Sequence, residues 1–145
     1  MQSRLPVAAK HEVLDTDDFV DVAAAIVQSI SGSPALNRVP PATMQLGEGN
    51  NATILNLEME TLLARATANL FRSGRVVRWD ASADANARPD LLLRVRIYEI
   101  QSGATKIRSK GFYIRLTLVD QSTGAYIWSE ERKVHKKTKV PVEVQ

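Results

Sequence analysis

The sequence predicts an α+β fold, a two-layer sandwich in which helices pack on one face of a mostly antiparallel sheet of about four to five strands. Two observations lead to this prediction. Apolar residues recur at helical spacing in two segments of the first half of the chain, whereas after residue 90 they recur at every second position. The chain has 145 residues, which is a common size for one domain built around one hydrophobic core.

The first helix is predicted over about residues 16–31. Its apolar residues recur at spacings of three and four, as expected for an amphipathic helix. Asp15 or Thr16 can cap its N-terminus, and further Asp residues in the first turn suit the helix dipole. Gly32 and Pro34 then end the helix.

The next segment begins with Pro40-Pro41, which excludes a helix. Weak alternation predicts a short strand at about residues 42–46, followed by a polar loop over residues 47–51. This loop contains two glycines, but it has neither the G-x-G-x-x-G spacing nor the Lys-Ser/Thr of a phosphate-binding loop. Nucleotide binding is therefore not expected there.

A second amphipathic helix follows, with Asn56 as a candidate N-cap and Gly74 as a candidate C-terminal cap. The pattern "RVVRW" predicts a short strand over residues 75–79 directly after that glycine. Residues 80–90 are small and polar, which predicts a surface loop.

Three strands separated by Gly-containing turns are predicted in the last part of the chain, at residues 91–101, 109–119 and 125–135. Consecutive strands with short connections pair most simply as an antiparallel meander. In the middle strand, one face is predicted to carry Phe112, Ile114, Leu116 and Leu118, and the other Tyr113, Arg115 and Thr117.

These elements predict one domain over residues 15–138, preceded by a flexible arm at 1–14 and followed by a tail at 139–145. No apolar run approaches the roughly 20 residues that a transmembrane helix needs. The first residues also lack the apolar core of a signal peptide, so any export signal is expected to lie outside this sequence.

Charge is unevenly distributed along the chain. Residues 1–90 hold 8 Lys+Arg and 11 Asp+Glu, whereas residues 91–145 hold 11 and 5. The imbalance predicts a face or tail with positive potential, which affects the choice of partner. The ordinary alternative is a solvated face and a basic tail.

The residues that enzymes commonly use do not form a recognisable site. The absence of cysteine removes disulfides, thiolate nucleophiles and cysteine-based metal sites. His11 and His135 each stand alone, and no metal-ligand spacing surrounds them. Glu130 and Glu131 are neighbours in a strand, so they point to opposite faces and cannot work as a carboxylate pair. The sequence predicts a protein that is not an enzyme and has no cofactor or metal.

Nucleic-acid binding is an alternative that the basic second half raises. Arg94, Arg96 and Arg115 are predicted on the same side of the meander as Tyr98 and Tyr113. Aromatic and basic residues on an open sheet can hold single-stranded nucleic acid. However, acidic residues interrupt this patch, and protein interfaces favour the same residue types.

The segment "IYEIQSGATKIRSKGFYIRLTLVDQSTGAYIWSEERKVHKKTK" resembles the C-terminal sheet of the LpoB-type lipoproteins, which are outer-membrane activators of class A penicillin-binding proteins. The likeness lies in the order of a Gln-Ser-Gly turn, an aromatic-rich strand, a Thr-Gly turn and a strand with Trp128 before the glutamates. Upstream, "SPAL", Asn51-x-Thr53 and "FRSGRV" add to a resemblance covering about residues 15–138. CsgG-like and TolB N-terminal-like domains share the Trp-containing strand.

The resemblance implies a non-enzymatic periplasmic regulator that binds the regulatory domain of a bifunctional penicillin-binding protein and activates peptidoglycan synthesis. It also implies a monomer that is anchored to the outer membrane as a lipoprotein in its full-length form. Two departures from the family are visible. The lipid-bearing Cys and Pro-rich tether are not in this sequence, and a short loop stands between Trp79 and Asp90 where the family has a further helix.

We expect the partner surface on the last two strands, because several of their aromatic and charged residues are predicted to point away from the helices. The candidate partner-binding residues are Tyr113, Arg115, Tyr126, Trp128, Glu130 and Arg132. Tyr126 and Trp128 have an alternative role in packing at the sheet edge. Two other functions remain open, namely an envelope-assembly or secretion accessory of CsgG-like or TolB-like type, and a basic nucleic-acid-binding module.

Overall fold

Helices and strands alternate in the first half of the molecule and strands alone form the second half. The computed structural model describes residues 13–80, 88–101 and 109–136. The helices are α1 (Thr16–Ile30) and α2 (Met59–Arg72), with a short 3-10 turn at Pro34–Leu36. The strands are β1 (Ala42–Asn51), β2 (Val76–Arg78), β3 (Leu91–Ile100), β4 (Gly111–Asp120) and β5 (Tyr126–Val134). This arrangement confirms the predicted α+β class.

Parts of the predicted organisation lie outside the described residues. These parts are most of the arm at 1–14, the tail at 139–145, the centre of the loop at 80–90 and most of the Gln-Ser-Gly turn. Leu14, at the end of the predicted arm, is described and is buried in the core.

Helix α1 begins as predicted. The Asp15 carboxylate accepts a hydrogen bond from the Asp18 N–H at 3.1 Å, and the Asp18 carboxylate accepts one from the Asp15 N–H at 2.9 Å. This reciprocal capping box satisfies two donors that a helix end would otherwise leave without partners. The choice that the sequence left between Asp15 and Thr16 is thereby settled in favour of Asp15.

Helix α2 begins at Met59, so the prediction of Asn56 as its N-cap is wrong. The segment before the helix is extended, with Leu57 packed against the core. Glu58 is the residue at the cap position, and its N–H donates to the Thr16 hydroxyl at 3.1 Å. The start of α2 is therefore attached to the start of α1. Gly74, with φ of +79°, ends the helix in the left-handed conformation, as predicted.

Strand β1 is twice as long as predicted, because residues 47–51 continue it and do not form a loop. The strand pairs with β3 on both sides of a register shift between Leu46 and Gly49. A Cβ atom on Gly49 would lie 2.7 Å from Met59 at the start of α2. The glycine is thus needed where the helix approaches the strand, and not for a turn.

The five strands form one sheet in the order β2-β1-β3-β4-β5. Strands β3, β4 and β5 pair antiparallel, which confirms the predicted meander. Strand β1 is parallel to both of its neighbours, so the sheet is mixed. Strands β2 and β5 form the two edges.

Both described helices pack on the same face of the sheet, which we call the covered face. Apolar side chains from both layers form one core, and the largest fully buried ones include Phe19, Ile26, Leu62, Met44, Leu93, Ile97, Ile114 and Leu116. Burying each such side chain contributes about 1.5–3 kcal/mol. The opposite face carries no helix in the described part of the chain. Neither described helix is long and apolar enough to cross a membrane.

Candidate functional site

The candidate site is the face of the sheet opposite the helices, which we call the open face. On β3, β4 and β5 its side chains are Arg94, Arg96, Tyr98, Tyr113, Arg115, Thr117, Tyr126, Ser129, Glu131 and Lys133. The register places Arg96 opposite Arg115 and Tyr98 opposite Tyr113. The prediction that these basic and aromatic residues share one side of the meander is therefore confirmed.

Two tyrosines form the rigid part of the open face. The rings of Tyr98 and Tyr113 are stacked, with centroids 5.9 Å apart and planes inclined by 13°. The Arg96 guanidinium carbon lies 5.2 Å from the Tyr98 ring centroid, which is within the range of a cation–π contact. The Tyr98 ring is thus held between two neighbours, Tyr113 and Arg96.

Tyr113 is more buried than a contact residue should be. Its side chain is 5% exposed. Its hydroxyl donates to the Ser109 carbonyl at 2.7 Å and accepts from the Ser109 N–H at 3.0 Å. Tyr113 does lie on the side of the sheet away from the helices, but it is buried, because its ring packs on Tyr98 and its hydroxyl holds the chain before β4. Tyr113 is therefore a buried residue that supports the open face.

Glu131 joins the three strands of the meander. Its carboxylate on β5 accepts from Arg115 of β4 at 2.8 Å and from the hydroxyl of Tyr98 of β3. Burial raises the pKa of Glu131 above its ordinary value. A carboxylate that fixes a tyrosine and an arginine in place gives the open face a defined geometry. The sequence pattern indicated only that Glu131 points away from its neighbour Glu130, and it did not predict this role.

The open face is concave. A depression of about 610 Å³ lies across β1, β3 and β4, and its lining includes Gln45, Arg94, Arg96, Arg115 and Tyr126. Tyr126 is 66% exposed there. Arg94 and Arg96 are also exposed. Arg94 and Arg96 are functional candidates that were not among the six predicted partner-binding residues, although their spacing of two on one strand already placed them on the same face.

A β-bulge decides the position of Tyr126. Leu118 pairs with Trp128, but the next residue, Val119, pairs with Tyr126, so that Ile127 is an extra residue in β5. Strict alternation would put Tyr126 on the same face as Trp128. The bulge reverses its direction and brings it onto the open face, beside Arg115 and Thr117.

The other three predicted partner residues lie on the covered side of the edge strand. Trp128 is partly buried and packs against the core. The Glu130 carboxylate accepts from the Ser29 hydroxyl of α1 at 2.8 Å and also pairs with Arg132. The opposite orientation of Glu130 and Glu131 is confirmed, as is the packing role that was the alternative for Trp128. Three of the six predicted residues therefore lie on the open face and three on the covered side.

The described residues contain no group of three His, Asp or Glu side chains that could hold a metal ion. His135 is exposed and His11 lies outside the described residues. What the open face offers is cationic side chains, one exposed aromatic ring and a concave shape, which are properties of a binding surface.

The fold has known counterparts. It is similar to the LpoB C-terminal domain from Escherichia coli, with a TM-score of 0.59 and 12% identity over 83% of this chain and 99% of that domain. The LpoB C-terminal domain from Salmonella enterica gives a TM-score of 0.60 with 11% identity and the same coverage. No family model and no curated protein matches the chain. The chain therefore has an LpoB-like fold.

Proposed function

We propose that this protein is a non-enzymatic regulator of cell-wall synthesis, which binds a bifunctional class A penicillin-binding protein and activates it. The observation that supports this proposal is the similarity in fold, because it extends over 99% of the LpoB C-terminal domains. LpoB-type proteins are activators of these synthases. The lack of a catalytic constellation in the sequence agrees with a regulatory role.

The open face is the docking surface in this proposal. Arg115 and Tyr126 line the depression, and their side chains are half-exposed and exposed, respectively. Glu131 holds Arg115 in position through its ion pair. Exposed tyrosine and arginine on a rigid support are typical of residues that dominate binding energy in protein interfaces.

Activation then follows from differential binding. A regulator raises the activity of a synthase only if it binds the active conformation more tightly than the resting one. A rigid surface serves this purpose because little conformational entropy is lost when it binds. We place this event in the periplasm, and we propose that the full-length protein is a monomer anchored to the outer membrane as a lipoprotein.

Glycan polymerisation tests the proposal. The domain is added to the purified periplasmic region of each class A synthase from the same cell, and the rate of lipid II polymerisation is measured. We expect a several-fold increase in rate, which corresponds to about 1 kcal/mol or more of coupling free energy. The double variant Arg115→Ala/Tyr126→Ala should bind the synthase at least about tenfold more weakly.

The matched control is Arg72→Ala/Ile54→Ala, which also removes one exposed cation and one exposed apolar side chain, but away from the open face. It should stimulate the synthase as the parent does. Absence of stimulation with every class A synthase of the cell would contradict the proposal. A ring-shaped oligomer seen by light scattering would favour a CsgG-like accessory instead.

A further inference from the structure

The open face holds positive charge that its own carboxylates do not neutralise. Arg96 on β3 and Arg115 on β4 are directly opposite each other. Arg94 lies two residues before Arg96 on the same face of β3, at a distance of about 7 Å along the strand. Arg115 forms an ion pair with Glu131. Within the described part of the chain, no carboxylate lies within ion-pair distance of Arg94 or Arg96.

In the free protein, Glu131 neutralises only one of these three cations. Like charges that face each other across two antiparallel strands repel. An anion placed between Arg96 and Arg115 would convert the repulsion into attraction to both guanidinium groups. The depression of about 610 Å³ that these arginines line provides the space for it. Charge and shape therefore both point to an anionic ligand at one place.

We infer that the open face binds an acidic segment of a protein partner, with carboxylates of that segment held by Arg94, Arg96 and Arg115. The planar guanidinium group can donate two parallel hydrogen bonds to one carboxylate. Tyr126, exposed at the same depression, contacts the apolar parts of the segment. The identity of the partner as a class A synthase rests on the function proposed above. The acidic chemistry of the segment is inferred from the arginines alone and does not depend on that function.

A protein segment fits this surface better than a single-stranded nucleic acid. Base stacking needs free aromatic faces. The Tyr98 ring already contacts Tyr113 and Arg96, and Tyr113 is buried. Tyr126 is the remaining exposed ring among the described residues of the open face.

Binding of a fluorescein-labelled hexaglutamate peptide tests this inference directly. Fluorescence anisotropy is measured at low ionic strength, where surface charges are least screened. The variant Arg94→Gln/Arg96→Gln should bind the peptide about tenfold more weakly than the parent, because it loses charge-assisted hydrogen bonds. The control Arg72→Gln/Arg78→Gln removes the same charge from exposed positions outside the open face, and should change the affinity by less than about twofold.

Labelled hexathymidylate is titrated in parallel. Tighter binding of this oligonucleotide than of the peptide, lost in Arg94→Gln/Arg96→Gln, would overturn the inference in favour of nucleic acid. No binding of hexaglutamate to the parent, or equal loss in the control variant, would also overturn it.

The polymerisation assay separates this inference from the proposed function. If the parent stimulates a synthase and Arg94→Gln/Arg96→Gln stimulates it equally, the acidic docking site is wrong while the proposed function stands. If the parent binds hexaglutamate through these arginines but stimulates no class A synthase, the proposed function is wrong while the acidic docking site stands.

Discussion

The two faces of one sheet differ in almost every physical property. On the covered face, Ile97, Ile114 and Leu116 are fully buried beneath the helices. On the open face, Arg94 and Arg96 of the same sheet extend into solvent. Because side chains alternate along a strand, residues adjacent in sequence have separate roles. Stability of the domain resides mainly on one face, which leaves the other available for binding.

The open face itself has two layers. Tyr98, Tyr113 and Glu131 contact one another or the chain before β4, and they are at least partly buried. We call these residues the lower layer, and we call the exposed side chains of the open face, such as Arg94 and Tyr126, the upper layer. The lower layer is expected to affect both stability and binding, whereas the upper layer should affect binding alone.

The strongest test of the difference between the faces uses two adjacent residues of β4. Leu116→Ala leaves a cavity in the core, so we expect the free energy of unfolding to fall by about 2–5 kcal/mol. Arg115→Ala removes a half-exposed ion pair, and we expect a loss within about 1 kcal/mol. Urea denaturation measures both. Similar losses for the two variants would mean that the open face contributes as much stability as the core.

A smaller effect is expected in the lower layer of the open face. Tyr113→Phe keeps the stacked ring but removes the hydroxyl that bonds to both backbone groups of Ser109. We expect a loss of about 1 kcal/mol in the free energy of unfolding, since partly buried partners lose a hydrogen bond. In the exposed Tyr126, the change to Phe should cost less than about 0.5 kcal/mol. If Tyr113→Phe were equally neutral, Tyr113 would belong to the upper layer.

The smallest effect concerns the pH dependence of stability. Because burial raises the pKa of Glu131, the folded protein holds this proton more tightly than the unfolded chain. The resulting stabilisation is complete below the unfolded pKa of about 4.3 and is lost as the pH rises through the folded pKa. Relative to Glu131→Gln, the parent should therefore become less stable as the pH rises from about 4 towards 7.

Urea denaturation of parent and variant at several pH values checks this prediction. An increase in the stability of the parent relative to Glu131→Gln over the same pH range would show that the ion pair with Arg115 outweighs burial.

Much of the fold could be predicted because its signals are local. The capping residue Asp15 and the left-handed Gly74 lie within one turn of the helix end they define. The three strands of the meander were predicted to within about two residues, since alternation is a property of each strand by itself. Asn56 was mistaken for a cap because a capping residue type does not reveal where the extended chain before the helix stops.

The candidate site was predicted only in part. Alternation along β3 and β4 was sufficient to group the arginines with Tyr98, because the hairpin has no bulge between them. It failed for Tyr126, since the extra residue Ile127 is visible only in the pairing of β5 with β4. The burial of Tyr113 was also missed, because its hydroxyl bonds to the backbone of Ser109, which the pattern placed inside the strand and the structure places before it.

The sequence by itself determined the α+β class, both helices, the antiparallel meander and the excess of positive charge after residue 90. These depend on periodicity, capping and composition, which are local or additive properties. The tertiary structure alone decided that β1 runs parallel between β2 and β3 and that residues 47–51 continue it. It also decided which candidate residues share the open face. These features depend on hydrogen bonds between distant segments, and a shift of one residue in pairing reverses the direction of a side chain.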